Sequence, residues 1–118
     1  MQTKECDISN NVKHIVFPKC CDSLNEKIKT SLDDTGKLLL VRVHLKNVLY
    51  NKTLAVGVLI FEGQDLISFK VKKLYTGCCY GMCKYHNIQT PTYYFVFPNK
   101  DHCSKKDFTI KVVKNYII

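Results

Sequence analysis

The chain has 118 residues, and its 18 Lys and Arg outnumber its 10 Asp and Glu to give a formal net charge of +8. This length suits one domain and leaves no room for two. The hydrophobic fraction of 46% argues against disorder, and no apolar run reaches the ~18 residues of a membrane-spanning helix.

The positive charge is carried almost entirely by lysine, because Arg42 is the single arginine. Recognition of bases and phosphates favours arginine, whose planar guanidinium donates two hydrogen bonds at once. The lysines are also scattered along the chain, apart from Lys70, Lys72 and Lys73. We therefore expect a solvated basic surface and no nucleic-acid partner.

The first eleven residues differ from the rest of the sequence. Residues 1–11 are polar, show no hydrophobic periodicity and contain one cysteine, Cys6. Such a segment offers little to a hydrophobic core. We predict an extended N-terminal arm over residues 1–11, followed by one domain over residues 12–118.

The rest of the chain alternates apolar and polar residues with the period of two that is typical of β-strands. The predicted strands are Val12–Phe17 and Leu24–Ser31, which are weak, and Lys37–Val48, Thr53–Glu62, Leu66–Lys73, Pro91–Phe97 and Phe108–Val112. Leu24–Ser31 also fits a helical turn, because Leu24, Ile28 and Leu32 are four residues apart.

Three of these strands carry an interpretable face pattern. Lys37–Val48 directs Leu39, Val41, Val43 and Leu45 to one face. Thr53–Glu62 is apolar on both faces, as expected of a central strand. In Leu66–Lys73 we expect Ile67, Phe69 and Val71 to face the core, with Ser68, Lys70 and Lys72 facing solvent.

Short turns separate the strands, at residues 33–36, 50–52, 62–64 and 98–101. Short strands joined by hairpin turns are typical of antiparallel sheets that pack in pairs. The sequence therefore predicts an all-β fold, a single antiparallel β-sandwich or jelly roll.

Seven cysteines are the most informative residues. Cys20 with Cys21, and Cys78 with Cys79, are adjacent pairs, and successive side chains of an extended strand point to opposite faces. One thiol of each pair is then able to bond within the domain and the other to a neighbouring molecule. The candidates for intermolecular disulfides are Cys6, Cys20, Cys21, Cys78, Cys79 and Cys103. Because seven is odd, at least one thiol escapes pairing within the chain.

Zinc binding is the main alternative use of these cysteines. Cys78, Cys79, Cys83 and His86 supply three thiols and an imidazole within nine residues, enough ligands for a tetrahedral site. The segment lacks the usual C-x2-C spacing, and adjacent cysteines diverge. We therefore expect neither a metal nor any other cofactor.

Catalytic motifs are absent from the sequence. It contains no Gly-rich phosphate loop, no GxSxG elbow and no HExxH pair. The acidic residues are dispersed over turns and strand edges, where burial does not tune their pKa values. We expect a protein that is not an enzyme.

The cysteine content is typical of proteins outside the cytosol, although the N-terminus lacks the apolar stretch of a secretory signal. A removed signal, cytosolic metal binding, or release of a particle by cell lysis would each reconcile these features. We expect an extracellular or spore-surface location without a recognisable signal peptide.

Two resemblances support this interpretation. Residues 40–48, ending in Lys46-Asn47-Val48, lead into residues 51–62 with their Ala-Val-Gly-Val run and then into residues 67–71, a pattern that resembles a module of clostridial small proteins. The whole chain is similar in plan to subunits of bacterial endospore appendages, which are small jelly rolls with a cysteine-bearing N-terminal arm. That resemblance implies that Cys6 bonds to a cysteine of a neighbouring subunit.

The functional hypothesis is a structural subunit that assembles with itself into a disulfide-cross-linked fibre, through edge strands and the N-terminal arm. Two alternatives stay open at this point. One is a monomeric adhesion or ligand-binding sandwich with internal disulfides, and the other is a cytosolic zinc-binding module.

Overall fold

A computed structural model describes residues 2–18, 36–78, 81, 84–97 and 105–117. Within these ranges the chain forms eight strands and no helix. The described part of the chain therefore contains no helix that could cross a membrane. The strands are β1 (Gln2–Ile8), β2 (Val12–Phe17), β3 (Lys37–Leu49), β4 (Thr53–Glu62), β5 (Asp65–Tyr75), β6 (Tyr85–Gln89), β7 (Tyr93–Phe97) and β8 (Lys106–Ile117).

The strands form two four-stranded sheets. In the first sheet β3 is central: β1 pairs with it in parallel, while β7 and β6 pair antiparallel with its first and second halves on the opposite side. The second sheet has the order β2-β8-β4-β5 and is antiparallel throughout. The predicted all-β sandwich class is confirmed, with one parallel strand pair in addition.

The core lies between the inner faces of the two sheets. Alternate residues of β3 and β4 are buried, as their period of two predicts, and each such aliphatic side chain contributes roughly 1.5–3 kcal/mol of transfer free energy. The buried apolar residues are Cys6, Ile8, Ile15, Phe17, Leu39, Val41, Val43, Leu45, Val48, Leu54, Val56, Val58, Ile60, Tyr93, Phe95, Phe108, Ile110 and Val112.

Tyr93 joins the two sheets by a hydrogen bond as well as by packing. Its side chain is 0% exposed, and its hydroxyl donates to the backbone oxygen of Val56 at 2.7 Å. A buried hydroxyl without a partner would cost about 1–3 kcal/mol, so this contact lets a tyrosine occupy the core. Burial raises the pKa of Tyr93 to about 12.

Several predicted strands have the observed bounds or nearly so. Val12–Phe17 and Thr53–Glu62 are confirmed as β2 and β4, and Lys37–Val48 extends by one residue in β3. The short strand β6 was not predicted, since only Ile88 in it packs against the core. The predicted strand or helical turn at Leu24–Ser31 lies outside the described residues.

The predicted orientation of β5 is wrong. Lys70 pairs with the inward-facing Val58, so Lys70 and Lys72 face the first sheet, while Phe69 and Val71 face solvent. The Lys70 ammonium lies 5.4 Å from the ring centre of Phe95, and the Lys72 ammonium lies 5.4 Å from that of Tyr93. Long lysine stems can cover aromatic rings while their charges stay near water, which makes this inward position tolerable.

The prediction that residues 1–11 stay outside the core is also wrong within this chain. Residues 2–8 form β1, whose Cys6 and Ile8 are buried between the sheets while Glu5 and Asp7 point outward. Two inward apolar residues are too few to give a detectable periodicity. The role of this segment as a link between subunits stays a prediction.

We predict that Tyr93→Phe lowers the free energy of unfolding by about 1–2 kcal/mol, because it removes a buried hydrogen bond without leaving a cavity. Chemical denaturation measures the change. Tyr94→Phe is the matched control: Tyr94 is exposed, and we expect a change within about 0.5 kcal/mol. Equal effects of the two substitutions would contradict a structural role for the Tyr93 hydroxyl.

The raised pKa of Tyr93 also predicts a loss of stability in alkali. An unfolded phenol ionises near pH 10, while the folded one keeps its proton up to pH about 12. The unfolded state therefore binds fewer protons in this window, and stability falls as the pH rises through it. The wild type should lose more unfolding free energy between pH 10 and 12 than Tyr93→Phe, as pH-dependent denaturation curves would measure.

Candidate assembly surface

Cys6 and Cys78 are the two cysteines within the described residues, and their surroundings are opposite. Cys6 lies on β1 and is 4% exposed, whereas Cys78 follows β5 and is exposed. Burial raises the pKa of the Cys6 thiol, although the nearby Lys13 opposes this effect. A thiol needs both access and a thiolate fraction to react, so Cys78 is the better placed of the two.

The other predicted sulfur sites, Cys20, Cys21, Cys79, Cys83 and Cys103, lie outside the described residues. Their assignments as disulfide or metal candidates stay predictions.

Cys78 sits on an ordered part of the surface. Its sulfur lies 3.3 Å from the hydroxyl of Tyr75, which donates to Asn51 Oδ1 at 2.9 Å. The backbone N–H of Asn51 donates to the backbone oxygen of Gly77 at 2.7 Å. These contacts join the β3–β4 turn to the segment that carries Cys78, so the thiol has a defined position on the outside of the domain.

His86, the imidazole of the zinc alternative, is packed rather than solvated. Its ring stacks on Tyr50 with 3.9 Å between centroids, and its Nε2 atom is buried with no hydrogen-bond partner among the described residues. The described part of the chain holds no group of three or more side chains able to bind a metal. Since Cys79 and Cys83 lie outside that part, the expectation of no metal stays a prediction.

A small charged cluster attaches β1 to its neighbour. Arg42 Nε donates to Asp7 Oδ1 at 3.1 Å, His44 Nε2 lies 3.3 Å from the same oxygen, and Lys13 Nζ donates to the backbone oxygen of Asp7 at 3.0 Å. Hydrogen bonds from His44 and Arg42 lower the pKa of Asp7. Because Asp7 is exposed, solvent screens this cluster and limits its contribution to stability.

The second sheet exposes an apolar surface on the side away from the core. We call this surface the B face; its large apolar side chains are Val12, Val16, Leu59, Phe61, Leu66, Phe69, Val71 and Val113. Phe69 is 63% exposed, Val71 59% and Val113 56%. Its lysines are Lys73 and Lys111, and the Lys111 ammonium lies 4.9 Å from the ring centre of Phe61.

The first sheet has a corresponding outer surface, which we call the A face. Its apolar side chains are Leu38, Leu40, Tyr94 and Val96, and beside them lie Glu5 and Asp7 of β1 and Arg42 and His44 of β3. Val96 is 62% exposed and Tyr94 56%. Both outer sides of the sandwich therefore expose neighbouring apolar side chains, a feature that marks contact surfaces when it is continuous over several strands.

The B face was not predicted from the sequence, because Phe69 and Val71 were expected to face the core. A usable signal was present in β4. Its outward positions Ala55, Leu59 and Phe61 are as apolar as its inward ones, which indicates that something covers the outer side of the sheet as well.

Comparison with known proteins gives two matches. The model of the exosporium protein B family matches residues 29–118, a range that begins after β1 and β2. Exosporium protein B of Clostridium sporogenes (strain ATCC 15579) is 34% identical over 122 residues, covering 94% of this chain and 80% of that protein. No solved structure matches the chain at a significant level.

We predict that the two described cysteines differ in reactivity. After reduction and removal of the reductant, an alkylating agent should modify Cys78 of the native protein at least about tenfold faster than Cys6, since Cys6 is buried and its pKa is raised. Mass spectrometry of the peptides measures both rates. The denatured protein is the control, in which the rates should converge. Equal rates in the native protein would mean that β1 leaves β3 in solution.

Proposed function

The chain belongs to the exosporium protein B family, and from this premise we propose that it is a structural subunit of the spore surface that assembles with copies of itself. The expected spore-surface location and the resemblance to a clostridial module are confirmed by this membership. The cytosolic location of the zinc-binding alternative disagrees with it.

The observation that supports self-assembly is the pair of apolar outer faces. A monomer in solution leaves both of them in water, whereas a layer or fibre of stacked domains covers them. Burial of these side chains favours the association by roughly 25 cal/mol per Å² of apolar surface removed from water. The net charge of +8 opposes it, so close contacts between copies need this apolar contribution.

Edge-strand pairing was the contact expected from the sequence, and the four-stranded sheets do have edges, at β2 and β5 in the second sheet. Strand β5 is poorly suited to such pairing. Lys70 and Lys72 point inward from this edge, a device by which natural sheets resist the addition of a further strand. The edge at β2 keeps this mode open, and it stays a prediction.

Disulfide bonds would make such an assembly permanent. Each hydrogen bond or apolar contact between copies is reversible, but a covalent link at an exposed thiol resists dilution and heat. Cys78 is the exposed candidate among the described cysteines, and its fixed position presents the same thiol on every copy. Cys6, the candidate that the arm hypothesis favours, is covered by its own domain.

The test is electrophoresis of oxidised protein without reductant. We expect a ladder of multimers that collapses to the 13.6 kDa chain when reductant is added. Because each thiol forms one disulfide, a ladder needs two linking cysteines per chain, and we expect Cys78 to bond to another of the predicted candidates, Cys20, Cys21, Cys79 or Cys103, on the next copy. Cys78→Ser should therefore lose most of the ladder. Cys6→Ser is the matched control, and its ladder should resemble that of the wild type, because the thiol that it removes is buried.

Three other outcomes are informative. A wild type that stays monomeric with and without reductant would contradict the proposed function and favour a monomeric adhesion or ligand-binding sandwich. A ladder lost in Cys6→Ser and kept in Cys78→Ser would restore the arm hypothesis, with β1 detached from β3 so that its thiol reaches a neighbouring copy. A ladder kept in both variants would assign the link to cysteines outside the described residues.

A further inference from the structure

We propose that successive copies stack head to tail, with the B face of one copy packed on the A face of the next. This inference rests on the self-assembly proposed above and specifies which surfaces carry it. Each face is therefore covered by a second copy of this chain: the B face by the A face of one neighbour, and the A face by the B face of the other.

The B face is shaped for close contact by a glycine at its centre. Gly57 lies between Val71 of β5 and Val113 of β8, which are its partners in the two ladders. A Cβ atom at Gly57 would lie 3.0 Å from Val113 Cγ2 and 3.6 Å from Val71 Cγ2. The two valines thus close over the glycine and form one continuous apolar row across three strands.

A second row runs beside the first. Phe69 and Leu59 are partners in the β4–β5 ladder, and Leu66 and Phe61 form the next pair on the same side. A single exposed apolar residue on a protein surface needs no explanation. Adjacent apolar rows on β4 and β5, extended to β8 by Val113, form a continuous patch, which is the arrangement found where a partner binds.

The A face is a smaller patch of the same kind. Leu40 and Tyr94 are partners in the β3–β7 ladder, as are Leu38 and Val96, so these four side chains form two adjacent pairs. Strand β1 adds Glu5, which is the partner of Leu40 on the other side of β3. An acidic residue therefore lies directly beside the apolar pairs.

The charges favour contact between a B face and an A face over contact between two B faces. Lys73 and Lys111 flank the apolar rows of the B face, and Asp107 lies farther away, beside Val16. Contact between two B faces would place four lysines at one apolar interface, where like charges oppose association. On the A face Asp7 already contacts Arg42, and Glu5 supplies a negative charge. Contact between unlike faces sets lysine against carboxylate, which is the favourable combination.

The geometry of such contacts leads to a polymer. A contact between two different surfaces leaves one of each uncovered at the ends, so addition continues unless the rotation closes a ring. A contact between two identical faces would stop at a dimer. Head-to-tail stacking thus covers both apolar faces of every interior copy with a single kind of contact.

The test uses two variants that each place a lysine in one face. Val71→Lys blocks the B face and leaves the A face intact, while Val96→Lys blocks the A face and leaves the B face intact. Both positions are exposed, so neither substitution disturbs the core, and circular dichroism checks the fold. Gln64→Lys, in the exposed turn between β4 and β5, adds the same charge outside both faces and is the matched control.

Sedimentation under reducing conditions measures the non-covalent assembly. We expect polymers of the wild type and of Gln64→Lys, and monomers of Val71→Lys alone and of Val96→Lys alone. An equimolar mixture of the two blocked variants should give dimers, because the intact A face of one binds the intact B face of the other. No further growth should follow, since both remaining faces are blocked.

Contrary results separate this inference from the proposed function. If Val96→Lys alone dimerises, the B face binds another B face and head-to-tail stacking is wrong. If both variants polymerise as the wild type does, the faces are not the contact, while self-assembly itself stands. If the wild type is monomeric here but forms the reducible ladder, the inference fails and the covalent assembly remains. A wild type without polymer or ladder overturns both.

Discussion

Strand β3 pairs with three other strands, on both sides over residues 37–41, and the arrangement of the first sheet depends on that pairing. Its parallel partner β1 and its antiparallel partners β7 and β6 do not pair with one another, so each reaches the sheet only through β3. The inward side chains of β3, such as Val41 and Leu45, are fully covered because the second sheet lies over them. Tyr93 of β7 then bonds to Val56 of that sheet, which links an outer strand directly to the opposite layer.

A sandwich of two sheets covers one face of each sheet and leaves two faces outside. In many antiparallel proteins those outer faces are polar. Here they keep valine, leucine and aromatic side chains beside a net charge of +8, so apolar attraction and electrostatic repulsion act on the same surfaces. Salt weakens the repulsion between exposed charges and leaves the apolar term largely unchanged. A subunit of this kind is suited to a crowded layer, in which neighbours cover its faces.

The fold was predictable where burial follows the alternation of the sequence, and unpredictable where it does not. From Leu39 to Leu45 in β3 and from Leu54 to Ile60 in β4, every second residue is apolar and buried, so both strands were found with nearly correct bounds. In β5 the alternation fixes which residues share a face but not which face is inside, and Phe69 favoured the wrong choice. The orientation of β5 depends on the aromatic rings of β7, over which Lys70 and Lys72 lie. The sequence of β5 alone contains no information about those rings. Of the candidate site, the adjacent cysteines Cys78 and Cys79 predicted one outward thiol but not which of the two, and its use in a disulfide stays a prediction. The outer faces needed the register of four strands.

The burial of Cys6 changes what β1 is able to do between copies. Three residues, Ser9, Asn10 and Asn11, connect β1 to β2, which lies in the other sheet. If β1 were exchanged between copies, it would meet the same β3 positions and the same Asp7 contacts that it has at present, because the exchanged strand is identical. Cys6 would then be as buried, and its pKa as raised, as in the single chain. An exchange of β1 would therefore join subunits through the β1–β3 hydrogen bonds and the packing of Cys6 and Ile8. The thiol of Cys6 would act as a small core residue, and the covalent links would be left to exposed cysteines.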